Sequence, residues 1–389
     1  MRLTRTRAVT VAGAAALVTA IALADASAAP PSLVSDAYFN IPGTGTENEL
    51  VDHLVKLIDG AEENSVIMGT AYVFDDARVT KALVGAAKDR DVKVQIITDA
   101  NAVGTPEYQK LEEGLKGQDG SWVKGCPPSD NFTETSCQGS GSMHNKFFLF
   151  SHTKDEKAVV STSSANLGAG SVSGTYNSTY TDVGNVALYT RFERYFQALR
   201  AARTNLSYYQ DNPPESTGNT KSYFYPRADD PKGNADTVVN TLDEVKCPGT
   251  IRVGMWSISR TAAAKALRAK ATEGCQIEIV ADRMYDGACD ALLSGGTGRD
   301  RVAIYGFRDG VYIHQKNIMI DATYTGEKHK VVFTGSANLN TPSLRHNDEN
   351  VIRIQDHASV YTKFVVNFDY LRDAADFKVR SPDECKELM

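Results

Sequence analysis

Two short stretches carry a histidine and a lysine one residue apart: MHNKFFLFS at 143–151 and IHQKNIMID at 313–321. On an extended chain alternate side chains share a face, so His144 stands with Lys146 and His314 with Lys316. Further along, TSSANLG (162–168) and TGSANLN (334–340) set Ser164 two residues before Asn166 and Ser336 two before Asn338. Each set holds an imidazole that titrates near neutrality, a cation, a hydroxyl and an amide. Such groups suit attack on a phosphodiester. One neutral imidazole is the nucleophile, and the other, protonated, supplies the leaving alkoxide with its proton. Lys146, Lys316, Asn166 and Asn338 would donate to the phosphoryl oxygens, and Ser164 and Ser336 would support their neighbours. A lone His-x-Lys pair is a weak signal that reads as a strand with two solvent-facing polar residues. Two copies in corresponding places of a duplicated chain point to chemistry.

The duplication extends to the elements that must position these groups. SVIMGTAYV (65–73), ARVTKALVGAAKDR (77–90) and VKVQIITD (92–99) read as strand, amphipathic helix and strand. TIRVGMWSI (250–258), RTAAAKALRAKATEG (260–274) and CQIEIVAD (275–282) repeat the order and the lengths. Each unit ends in Asp and predicts a parallel crossover. YTRFERYFQALR (189–200) and YTKFVVNFDYLR (361–372) match in register 172 residues apart. Their phenylalanines and leucine fall at helical spacing and predict a core-facing stripe. DNPPESTGNTKS (211–222) reads as a linker. The expectation is two α/β halves, residues 29–212 and 213–389, each a mixed sheet flanked by helices, packed as one bilobal body about a pseudo-twofold axis.

Residues 1–28 read as a secretory signal: Arg2, Arg5 and Arg7, an Ala-rich apolar run, and the small residues Ala26-Ser27-Ala28. The mature chain is then expected to be exported and soluble. Its removal takes three arginines and Asp25, moving the formal charge from −6 to −8. A mildly acidic chain has no overall field for gathering polyanions, which argues weakly against nucleic acid. Six cysteines in an exported chain indicate disulfides, and their spacing fits no zinc site. Cys126 and Cys137 bracket a polar loop, Cys247 and Cys275 each precede a strand, and Cys289 is left with Cys385.

The paired pattern resembles the phospholipase D superfamily, whose signature is HxKxxxxD followed by GSxxN, present twice in two-lobed members. The likeness covers nearly all of the chain after the signal. It implies a catalytic centre between the halves with both motifs facing one phosphodiester, a covalent phosphohistidine, and no metal or other cofactor. It also implies a carboxylate behind each histidine: Glu349 in NDENVIRI (347–354), and in TDVGNVALY (181–189) Asp182, since the alignment sets Gly184 against Glu349. The chain departs from the signature at Ser151, where the second copy has Asp321, and at Ser163 in place of Gly. Asp321 lies seven residues after His314, an odd offset that turns it away from the catalytic face.

Within that resemblance the expected substrate is a phospholipid, whose headgroup ester is hydrolysed or transferred to an alcohol, with transient contact with a membrane surface and no obligate protein partner. GAGSVSGTYNSTY (168–180) reads as a loop that shapes an entrance or touches lipid, or as plain surface. The rivals are a nuclease, a phosphodiesterase of small glycerophosphodiesters, and a non-catalytic binding protein on a degenerate scaffold. A nuclease would need basic and aromatic side chains beside the motifs, and no dense Lys/Arg stretch lies near either. His152, His329 and His346 lack matching partners and read as surface or loop residues.

Overall fold

The computed structural model describes residues 32–127, 135–168, 174–230, 235–308 and 310–388. The segment read as a secretory signal lies outside them, as do residues 169–173. The first half runs β1 (Asp36–Asn40), α1 (Glu49–Asp59), β2 (Val66–Ala71), α2 (Ala77–Arg90), β3 (Lys93–Thr98), α3 (Pro106–Leu115), β4 (Trp122–Gly125), β5 (Phe147–Thr153), β6 (Glu156–Ser163), β7 (Thr175–Asp182) and α4 (Val186–Ala201). The second runs β8 (Glu215–Thr217), β9 (Thr220–Phe224), β10 (Val245–Ile258), α5 (Thr261–Thr272), β11 (Gln276–Met284), β12 (Val302–Gly306), β13 (Tyr312–Ile313), β14 (Lys316–Tyr324), β15 (Glu327–Gly335), β16 (Asn350–Gln355), α6 (Ala358–Ala374) and β17 (Phe377–Val379).

The strand order of the first sheet is β1-β7-β6-β5-β2-β3-β4, and β9-β16-β15-β14-β10-β11-β12 in the second repeats it strand for strand. In both, the strand–helix–strand unit makes a parallel pair, β2 with β3 and β10 with β11. The strands bearing the motifs, β5 and β14, lie antiparallel beside β2 and β10. The duplication expected from sequence is thus the architecture of the molecule.

Why a histidine and a lysine precede an apolar run is now visible. β5 is covered on both faces: Phe148 and Phe150 join the cluster under α1 and α2, while Phe147 and Leu149 join a central cluster. β14 does the same, with Ile318 and Ile320 on one side and Met319 in the central cluster. A strand buried on two faces reads as a continuous apolar run. The two polar residues sit just before it, where the chain leaves the sheet.

The central cluster is built around the two matched helices. Phe192, Phe196 and Leu199 of α4 and Phe364, Phe368 and Leu371 of α6 are all buried in it, together with side chains of both sheets. α4 packs on β9 of the second sheet as well as on its own, and α6 packs on β1 of the first. The two helices therefore fill the layer between the sheets and make one body of the two halves.

Two expectations are corrected. Residues 211–222 do not form a linker: they contain the hairpin β8–β9, turning at Gly218 with φ +68°, and β9 is zipped antiparallel to β16. Pro, Asn and Gly there serve a tight turn rather than a flexible connection. Residues 175–180 are not a loop but the start of β7, with Tyr176 and Tyr180 buried. β7 lies between β1 and β6 at the junction of the halves, where Asn, Ser and Thr side chains bond to one another, so it lacks the apolar alternation that marks a strand. The cysteines pair as 126–137, 247–275 and 289–385. No described helix is long and apolar enough to cross a membrane.

Candidate active site

Each histidine is fixed by a short cross-strand contact with the opposite half. Met143 pairs with Asp348, and the His144 N–H then donates to the Asp348 carbonyl at 3.0 Å. In the mirror arrangement β13 pairs with the start of β7, Ile313 opposite Tyr176, and the His314 N–H donates to the Tyr176 carbonyl at 2.8 Å. The side chains follow. His144 Nδ1 lies 2.9 Å from Glu349 Oε2, and His314 Nδ1 lies 3.0 Å from Asn177 Oδ1. With Nδ1 so occupied, Nε2 of each ring is the nitrogen left for a ligand.

The lysines join them. Lys146 Nζ donates to the His144 carbonyl at 2.6 Å, and Lys316 Nζ to the His314 carbonyl. An aromatic ring flanks each pair: Tyr72 stands 4.9 Å from His144 and 5.0 Å from Lys146, and Trp256 stands 5.4 Å from His314 and 5.6 Å from Lys316. Both histidines and both lysines are at most 8 % exposed. Ser164 Oγ donates to Asn177 Oδ1, while Ser336 Oγ receives the Asn350 N–H. Asn166 and Asn338 follow β6 and β15, each with a buried Oδ1 that has no protein partner.

Four basic groups in so little water perturb one another. Burial pulls Lys146 down to about 7 against the opposing charges of Glu349 and Asp99. Lys316 falls well below its ordinary value through burial and then the charge of Lys146. His144 is lowered by burial and partly restored by Glu349, while His314 is driven lower by burial, Lys316, Lys146 and His144. Burial works to raise the Glu349 carboxyl, yet His144 and Lys146 hold it below the usual range. Lys146 and His144 act on His314, and Lys316 acts on His144, so the two motifs converge on one region deficient in negative charge. An anion with several oxygen acceptors would relieve it.

Asp182 does not take the place expected of it. It caps the end of β7, where it receives the Tyr180 hydroxyl at 2.9 Å, and it contacts neither histidine. The residue behind His314 is Asn177, five positions earlier. The signal for it was present: counting back from Glu349 the 172 residues that separate the closing helices lands on Asn177. Asp348, Asp99, Tyr72 and Trp256 were also missed. Asp348, fully buried, accepts the N–H groups of Cys137, Gln138 and Gly139 and so ties the disulfide loop to the segment bearing Glu349. Asp99 accepts the Met143 N–H at 3.0 Å and the Thr135 hydroxyl at 2.6 Å, fixing the approach to His144.

The departures from the signature have local explanations. Ser151 Oγ receives the Val66 N–H at 2.8 Å within its own sheet, and Asp321 lies along β14 with Tyr361 of α6 in its field. Neither faces the pocket. Gly335 has φ +154°, and a Cβ there would meet the Asn350 carbonyl at 2.3 Å; Ser163 does not share that backbone, and its Oγ holds the Ala165 N–H instead. His329 bonds Asp356 seven residues before Ser336, and His346 bonds Ser140. Among the described residues the one group with metal-binding spacing is Cys126, Cys137 and Asp348, whose two sulfurs are joined to each other.

Comparison with known proteins gives a consistent picture. The family described as "Cardiolipin synthase, PLD-like domain" matches residues 54–200 and again 239–372. The fold is similar to that of phosphatidylserine synthase from Haemophilus influenzae Rd KW20, at 13% identity over 90% of this chain and 88% of that one, with a TM-score of 0.61. It is also similar to polyphosphate kinase from Porphyromonas gingivalis, at 13% identity over 88% of this chain and a TM-score of 0.59. The chain spans half the length of that kinase. No curated protein matches the sequence at a significant level.

Proposed function

The chain belongs to the phospholipase D-like family, and from that premise we propose that it is an exported phosphodiesterase that removes the headgroup of phospholipids through a phosphohistidine. One observation carries the chemistry: two buried His-Lys pairs lying in one another's electrostatic field, each imidazole held at Nδ1 by the opposite half. Glu349 behind His144 favours the ring that gains positive charge, so His144 Nε2 attacks phosphorus. The bond to the headgroup oxygen breaks as His314 Nε2 gives that oxygen its proton. Water then attacks the phosphohistidine, returns a proton to His314 and releases phosphatidic acid; an alcohol in place of water gives the exchanged lipid. Lys146 and Lys316, with Asn166 and Asn338, hold the non-bridging oxygens.

The lipid assignment is supported by exposed apolar side chains close in sequence to the site residues. Tyr312, two residues before His314, is 39 % exposed. Tyr285 is 45 % exposed and bonds the end of β10 beside Trp256; Val103, just beyond Asp99, is 49 % exposed. Exposed apolar side chains so placed along the chain suit contact with lipid. Disulfide pairing of all six cysteines supports an oxidising, extracellular compartment.

The test is a turnover panel of phosphatidylcholine with and without ethanol, glycerophosphocholine and single-stranded DNA. Choline release, with phosphatidylethanol when ethanol is added, is the expected result. It should be lost in His144→Ala and in His314→Ala and unaffected by EDTA. Cleavage of DNA with no action on lipid would replace this reading with a nuclease.

A further inference from the structure

The two imidazoles are held by groups that match in position and differ in chemistry. Glu349 and Asn177 both follow the residue that pairs across the halves, and both meet Nδ1 of the opposing histidine. One is a carboxylate and the other a neutral amide. We propose that Asn177 is a positioning residue that sets the upper pH limit of the first chemical step, by giving the acid His314 an uncharged partner where His144 has a charged one. The proposal rests on the phosphodiesterase reading above.

The amide cannot turn to escape this role. Its Oδ1 accepts from His314 and from Ser164 Oγ at 3.1 Å, while its Nδ2 donates to the hydroxyl of Thr175 at 2.6 Å and to the Thr175 carbonyl at 3.3 Å. A flipped amide would set Oδ1 against the Thr175 carbonyl, which can only accept. His314 Nδ1 therefore carries a hydrogen, and the exchangeable proton sits on Nε2, facing the leaving oxygen.

Among the described residues no carboxylate offsets the charge His314 must carry as an acid. The groups facing it are Lys316, Lys146, His144, the Trp256 ring, Asn177 and the Ser164 backbone. The carboxylates of the pocket are engaged elsewhere: Glu349 with His144, Asp99 with Met143 and Thr135, and Asp282 beside Arg283. The lowering of His314 by burial and by Lys316, Lys146 and His144 agrees with this geometry. An acid must hold its proton to act, so kcat/KM falls as pH rises through the value at which free His314 loses it. Replacing the amide by a carboxylate puts an opposite charge at hydrogen-bond distance and raises that value by about one pH unit or more.

The test measures kcat/KM from acidic to alkaline pH for choline release from a short-chain, monomeric phosphatidylcholine, in wild type and Asn177→Asp. The wild-type descending limb is expected below the ordinary histidine value of 6.5. In Asn177→Asp it should move up by about one pH unit or more, with about a tenfold gain at neutral pH. Bis(p-nitrophenyl) phosphate, whose leaving group needs no proton, should show no such limb in either protein. An unmoved limb in a folded Asn177→Asp overturns the inference and leaves the phosphodiesterase reading standing. If that variant does not fold, the wild type decides alone: a limb above 6.5, or the same limb with the p-nitrophenyl substrate, overturns it. No turnover of either substrate overturns the phosphodiesterase reading and this inference with it.

Discussion

Glu349→Gln isolates the charge of the carboxylate from its shape. Glu349 has no exposed surface, and its Oε1 receives Ser343 Oγ at 2.7 Å and Asn347 Nδ2 at 3.1 Å while Oε2 meets His144. In the variant the carbonyl oxygen can still face His144 Nδ1, and Ser343 can rotate to accept from the new NH2. Asn347 loses its acceptor and the Ser343 hydroxyl exchanges a donated bond for an accepted one, so the fold should survive. What is lost is the opposite charge beside a ring that becomes positive on attack. Two unit charges about 4 Å apart at an effective dielectric near 20 interact by about 4 kcal/mol, and the net contribution of a charge-assisted hydrogen bond is about 1.5–3 kcal/mol. Taking the lower range, at about 1.4 kcal/mol per tenfold, kcat should drop by about 10- to 100-fold. Since the ring is neutral before attack, KM should change little. Steady-state choline release and a thermal melt check this. A variant that melts like wild type and keeps more than about half of its kcat would refute the role given to Glu349.

Two further predictions concern stability. His53 is buried against Tyr38, bonds Thr181 Oγ1 and is pushed down to about 4 by burial. The neutral ring's contribution is present above the unfolded value of 6.5 and lost as pH falls toward 4, so wild type should lose about 3 kcal/mol more than His53→Gln between pH 7 and pH 4 in urea titrations. The disulfides span 96, 28 and 11 residues, which orders their removal at about 5, 4 and 3 kcal/mol for 289–385, 247–275 and 126–137. Activity should follow a different order. Cys126→Ser with Cys137→Ser should impair turnover most, because Cys137 donates to Asp348 beside Glu349, and a set of double variants that loses activity only in proportion to melting temperature would contradict this.

The parts that were legible in the sequence are those where local pattern and final environment coincide. α2 runs from Ala77 to Arg90 as its amphipathic period predicted, because Asp76 caps it by accepting from Arg78 and Val79 and Asp91 ends it in the left-handed region. The phenylalanines of α4 and α6 were recognisable as a buried stripe, although not that the stripe would lie between two sheets. β7 failed because its environment is made by the other half. Asn177 and Ser178 bond His314 and Asn317 of the other half, Thr175 and Thr181 bond polar groups of their own, and a polar strand satisfied by polar partners leaves no apolar alternation to read. Asp182 was chosen by nearness and charge; the position behind His314 is defined by register, and register placed an amide there.

Register also accounts for why the altered first motif keeps its geometry. The groups that orient His144 belong to residues 348 and 349, and those that orient His314 to residues 176 and 177, so each half supplies the support for its partner's chemistry. Ser151 and Ser163 stand in the first half, yet they bond Val66, Ala165 and Thr179 in the first half's own sheet and touch neither orienting group. A change in a signature residue is therefore absorbed locally, whereas a change in β7 or in the segment before β16 acts at once on the opposing histidine. The residues that matter most for the reaction outside the motifs are those that lie opposite the motifs in space.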